Sequence, residues 1–141
     1  VNGAKGLVKN FIDKGIPIAL VTSSSNESFQ RKKRGQEWIN LFKTIVKGDN
    51  KELKRGKPSP DPYLLAASYL SVNPNSCWVI EDSIAGATSG LHAGCFVWML
   101  RKNKYASSFK FNSFSKQKIK HVDHLLDIEK ELDKLYKRLR V

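Results

Sequence analysis

The chain has 141 residues, with 25 Lys/Arg against 13 Asp/Glu for a formal charge of +12, and 40% of it is hydrophobic. That length suits one domain, and that apolar fraction is enough for a packed core, which excludes wholesale disorder. No apolar run approaches the roughly 18–20 residues of a membrane-crossing helix, and Val1-Asn2-Gly3-Ala4 carries no signal-peptide pattern.

Ala4, Leu7, Val8, Phe11 and Ile12 recur at helical spacing and mark a helix with one buried face, stopped by Gly15. Ile16 to Val21 is a short apolar run, as expected of a parallel strand covered on both faces. Thr22-Ser23-Ser24-Ser25-Asn26 follows, a polar turn able to present backbone N–H groups to an anion. Residues 27–41 read as helical with a break near Gly35, and Thr44 to Val46 as a short strand closed by Gly48-Asp49-Asn50. A polar loop leads to Gly56-Lys57-Pro58-Ser59-Pro60-Asp61-Pro62, where Asp61 is expected to cap a helix that starts with Pro62. Tyr63, Ala66, Ala67 and Leu70 give that helix its inward face.

Cys77 to Ile80 is the next buried strand, with Glu81-Asp82-Ser83 at its end. Ile84, Ala87 and Leu91 carry a helix that ends at Gly94, and Cys95 to Leu100 is a further strand. This alternation of helix and strand predicts an α/β fold with a doubly wound, mostly parallel sheet. Residues 101–118, with Phe109, Phe111 and Phe114 among polar neighbours, read as a long surface loop. Leu125, Ile128, Leu132, Leu135 and Leu139 then form a seam too short for a coiled coil, so a terminal helix packed on the domain is expected. The expected organisation is a core portion over 1–100 and a basic loop and terminal helix, 101–141, of the same domain.

Net charge is +5 over residues 1–100 and +7 over residues 101–141, so the tail is the more basic for its length. No nucleic-acid-binding motif accompanies the charge, and such a role is not expected. Cys77 and Cys95 lie in apolar runs and read as free thiols of a reduced, cytoplasmic protein. His121 and His124 lack the partner ligands a zinc site requires.

Ligands of doubly wound folds gather beyond the carboxyl ends of the strands, and three predicted strand ends carry different chemistries. Thr22 and the serines after it offer hydroxyls and backbone donors, Lys57 a positive charge in a proline-stiffened loop, and Glu81 and Asp82 adjacent carboxylates suited to Mg²⁺. Each has a plain alternative: Thr22 as a helix cap, Lys57 as a surface lysine, Glu81-Asp82-Ser83 as a capping turn. Together and in this order they suit phosphoryl transfer, where positioning and charge stabilisation supply most of the catalysis.

These three segments resemble motifs two to four of the haloacid dehalogenase-like hydrolases. Ile18-Ala19-Leu20-Val21-Thr22-Ser23-Ser24 is similar to the second, Gly56-Lys57-Pro58-Ser59-Pro60-Asp61 to the third, and Val79-Ile80-Glu81-Asp82-Ser83-Ile84-Ala85-Gly86 to the fourth. The match runs from about Gly3 to Leu100, and its wording is closest to the branch with β-phosphoglucomutase and pseudouridine 5′-phosphatase. The resemblance implies that Thr22 and the Ser23 N–H hold a transferring phosphoryl group and that Lys57 neutralises its charge. Asp82 would bind Mg²⁺, with Glu81 assisting directly, through water, or by pairing with Lys57. Ser24 and Asn26 would be secondary substrate contacts, and the substrate a small phosphorylated metabolite.

The family's first motif, Asp-x-Asp-Gly-Thr, supplies its aspartate nucleophile, and no Asp-x-Asp occurs here among the seven aspartates. The family's helical cap has no counterpart either. The chain is therefore expected to be the C-terminal part of a Mg²⁺-dependent phosphatase or phosphomutase, inactive alone; the rival expectation is a non-catalytic binding module that uses its basic surface. In the family, the first-motif strand lies between those ending at Thr22 and Glu81. Without it, the chain is expected to aggregate, melt low, or pair those two strands directly.

Overall fold

The computed structural model describes residues 2–101 and 118–140, and most of the loop expected over 101–118 falls outside them. Helix α1 (Ala4–Asp13) leads to strand β1 (Ala19–Val21) and helix α2 (Asn26–Lys33). A 3₁₀ turn over Glu37–Leu41 precedes β2 (Thr44–Val46); helix α3 (Asp61–Tyr69), β3 (Trp78–Glu81), α4 (Ile84–His92) and β4 (Phe96–Leu100) follow. Strand β5 (Ile119–Val122) and helix α5 (Leu125–Leu139) complete the described chain. No helix among the described residues is long and apolar enough to cross a membrane.

All pairings are parallel: β1 lies beside β2, with Leu20 opposite Ile45, and β3, β4 and β5 form a second sheet in that order. Side-chain alternation sorts the second sheet's residues between two cores. Val79, Val97 and Met99 pack with Ala87 and Leu91 of α4 and with Tyr63 of α3. Trp78, Ile80, Trp98 and Leu100 pack instead with Leu7 and Phe11 of α1 and with Leu125 and Ile128 of α5. Helices thus cover both faces, as the helix–strand alternation predicts. The indole rings of Trp78 and Trp98 meet edge to face, with centroids 5.2 Å apart.

Three details differ from the sequence reading. Helix α3 begins at Asp61 rather than Pro62, and the Ser59 hydroxyl, not Asp61, accepts the Asp61 N–H at 3.2 Å. Strand β5 was not expected: Ile119-Lys120-His121-Val122 lacks clean alternation, and pairing with β4 supplies the order that its pattern does not. Finally, of the three outcomes expected without a strand between them, direct pairing of β1 with β3 is not seen; among the described residues no backbone ladder joins the two sheets. A side chain links their carboxyl ends instead.

Candidate functional site

That side chain is Lys57, whose ammonium donates to the Val21 carbonyl oxygen at 3.1 Å and to Glu81 Oε1. Val21 and Glu81 are the last residues of β1 and β3, so one cation reaches the end of each strand. Lys57 and Glu81 are only 10% and 8% exposed, so each charge depends on the other. Tyr63 of α3 donates its phenol to the same Oε1, and the Ser83 hydroxyl lies 3.4 Å from Oε2. Burial first, then the Glu81 carboxylate, holds the Tyr63 phenol well above its usual range, so it remains a donor at neutral pH. Gly86 makes room for this carboxylate, because a Cβ there would overlap it.

A cavity of about 130 Å³ opens beside Lys57, lined by Thr22, Ser23, Gly48, Leu53, Gly56, Lys57 and Pro62. The turn after β1 is shaped locally: Thr22 Oγ1 accepts the Ser24 N–H at 3.2 Å, and Ser25 caps α2 by accepting the Ser28 N–H at 3.3 Å. Thr22 is therefore not the cap of the next helix. The Thr22 N–H donates to the Val46 carbonyl and the Gly48 N–H to the Ser24 carbonyl, which ties the turn to the end of β2. Gly48 is required there, since a Cβ would strike the backbone carbonyl of Ser23.

The structure thus brings Thr22, Ser23 and Lys57 to one cavity and seats Glu81 behind Lys57. Ser24 and Asn26 do not line that cavity; they follow Ser23 in the same turn, where Ser24 Oγ accepts from Lys32 and Asn26 Oδ1 from Lys47. Asp82 is exposed, one residue past Glu81. Glu81 takes the third of its expected options, pairing with Lys57. Among the described residues, no three His, Cys, Asp or Glu side chains gather as metal ligands. Glu81 is engaged by three donors, the Lys57 ammonium and the Tyr63 and Ser83 hydroxyls.

Tyr63 and Gly48 were missed as site residues. A tyrosine on an apolar helix face, just after the lysine loop, was the available signal, because a buried phenol needs a partner.

Parallel strands with helices on their faces, and Thr22, Ser23 and Lys57 lining one cavity at the strand ends, make this an α/β protein with a polar cavity there. The chain belongs to the haloacid dehalogenase-like hydrolase family, whose model matches residues 1–94. Over 97 residues, 67% of the chain, it is 41% identical to hexitol phosphatase A of Escherichia coli, of which it covers 43%. It is 38% identical over 114 residues to a probable pseudouridine-5′-phosphatase of Saccharomyces cerevisiae, covering 74% of this chain and 48% of that protein. The crystal structure of a family hydrolase from Deinococcus radiodurans, with bound phosphate and sodium, superposes with a TM-score of 0.63 at 33% identity. That superposition covers 71% of this chain and 44% of the other. The chain spans less than half the length of each of these relatives.

Proposed function

We propose that this chain forms the phosphate-binding portion of a phosphatase or phosphomutase that acts on a small phosphorylated metabolite. One observation carries the reading: Thr22, Ser23 and the Lys57 loop line a single cavity at the strand ends. Thr22 Oγ1 and the Ser23 N–H hold the phosphoryl oxygens, and the Lys57 ammonium offsets the charge that builds on them. Glu81 and Tyr63 fix the position of Lys57. Asp82 would contribute one carboxylate to a Mg²⁺ ion, which would supply neutralisation of phosphoryl charge.

The family reaction passes the phosphoryl group through an aspartyl-phosphate, a form of covalent catalysis. No aspartate lines the cavity, and all seven aspartates lie among the described residues. The chain alone is therefore expected to bind phosphate without turning over a phosphate ester. Calorimetry with orthophosphate should show binding that Lys57→Met abolishes, and p-nitrophenyl phosphate with Mg²⁺ should be hydrolysed only at background rate. Turnover that disappears in Asp82→Asn would show that a nucleophile is present and has been overlooked. Orthophosphate binding that Lys57→Met leaves intact would remove the cavity from the reading.

A further inference from the structure

A cavity of about 130 Å³ holds a phosphoryl group and few other atoms, since whole small-molecule sites are usually about 300–1,000 Å³. The rest of any substrate must therefore lie outside the cavity, beside which the turn at 23–26 continues and whose lining is drawn from the end of β1, from Pro62 and from the loop at 47–57. That loop carries Lys47, Lys51, Lys54, Arg55 and Lys57 against only Asp49 and Glu52. Glu52 is directed to α3, where its Oε2 accepts the Tyr69 hydroxyl at 2.8 Å, whereas Asp49 stays at the turn, its Oδ2 accepting the Asn26 N–H at 2.8 Å without forming an ion pair with any of these cations. Of the five cations, only Lys57 has a carboxylate within salt-bridge distance among the described residues.

Lys47 stands out within this set. It is half-buried, beside the cavity-lining Gly48. Its ammonium donates to Asn26 Oδ1 at 2.7 Å and sits 5.1 Å from the centroid of the buried Phe29 ring. An amide oxygen and an aromatic face hold the cation in place without neutralising it. Lys32, exposed on α2, reaches the same turn and donates to Ser24 Oγ at 2.9 Å. Two ammonium groups are thus fastened to residues 24 and 26, just past Ser23. A partly desolvated cation without a carboxylate gains more from an incoming anion than a fully hydrated one does.

We propose that Lys47, assisted by Lys32, receives a second anionic group of the substrate, a carboxylate or second phosphate a few atoms from the phosphoryl group in the cavity. This rests on the phosphatase reading and narrows it: the substrate is a phosphorylated acid or a bisphosphate, not a neutral polyol phosphate. Lys47 then acts in specificity, because it engages the part of the substrate that does not react.

Binding of three non-hydrolysable probes to the full chain tests this: ethylphosphonate with one anionic group, phosphonoacetate with an added carboxylate, and methylenediphosphonate with a second phosphonate. At least one doubly anionic probe should bind about tenfold more tightly than ethylphosphonate, as expected for one added charge-assisted hydrogen bond. The larger gain of the two identifies the second group. Lys47→Gln should erase the preference while leaving ethylphosphonate affinity unchanged. Lys47→Arg should keep the preference, Lys32→Gln should reduce it, and Lys51→Gln should not alter it.

Equal affinity for all three probes would overturn the proposal and leave the phosphate site standing. So would a preference that survives Lys47→Gln, because the whole basic surface would then be its source. Failure of ethylphosphonate and orthophosphate alike to bind would remove the phosphate site and this inference with it.

Discussion

Lys57 is held by three acceptor relationships that differ in kind: a carbonyl of β1, a carboxylate of β3, and the face of Tyr63, whose centroid lies 5.3 Å from the ammonium. Removing the cation leaves Glu81 buried with only the Tyr63 and Ser83 hydroxyls; removing the carboxylate leaves a buried ammonium with one carbonyl. Breaking one side of a buried pair costs about 3–5 kcal/mol, whereas replacing both partners with apolar groups is often neutral. Lys57→Met and Glu81→Leu should therefore each lower the urea midpoint strongly. The double variant should be more stable than either single one. Additive losses would show that the two charges do not depend on each other.

Among the elements, α5 has the plainest relation between sequence and packing. Its Leu125, Ile128 and Leu132 are buried, while Leu135 and Leu139 are 40% and 85% exposed, so the seam turns off the domain in its last two turns. Asn10 of α1 donates to Glu129 at 2.9 Å, and Lys14 pairs with Asp133 at 2.9 Å, which fixes α5 against α1. Ile128→Ala should cost about 2–5 kcal/mol, as for other large-to-small core changes. Leu139→Ala should change stability by less than about 0.5 kcal/mol. Equal effects in urea titrations would mean that the far end of α5 is also covered in solution.

The elements that the sequence displays are those whose own residues hold their pattern, such as α1 with its helical spacing or β4 with its continuous apolar run. Strand β5 could not be read, because its partner β4 decides it: Val97 stands opposite Ile119 and Leu100 opposite Val122. At the site, motif spacing marks Thr22, Lys57 and Glu81, but not their arrangement. Tyr63 reaches Glu81 across 18 residues and Lys47 reaches Asn26 across 21. Contacts at such separations leave no local period. Of the three outcomes expected without the first-motif strand, direct pairing of β1 with β3 is not seen among the described residues: Lys57 and the helices α3 and α4 tie the two sheets together without a ladder.

At the scale of the whole molecule, the interrupted ladder divides the backbone hydrogen bonds into unequal groups. Strands β3, β4 and β5 support one another between two helix layers, whereas β1 and β2 have only three paired positions. All three residues of β1 are half-buried, against four fully buried residues of five in β4. Backbone amides open in cooperative groups whose protection follows their burial and connectivity. In native-state hydrogen–deuterium exchange, Val97–Met99 should open only with the whole chain, while Ala19–Val21 and Thr44–Val46 should exchange together and at least about tenfold faster. A single shared protection level would mean that Lys57 and the helices couple the sheets as firmly as a strand. If the two groups separate, an anion in the cavity should slow exchange mainly in β1 and β2, whose ends form its walls. The edge that binds is then also the first to open, and ligand would act there as the missing mortar between two courses.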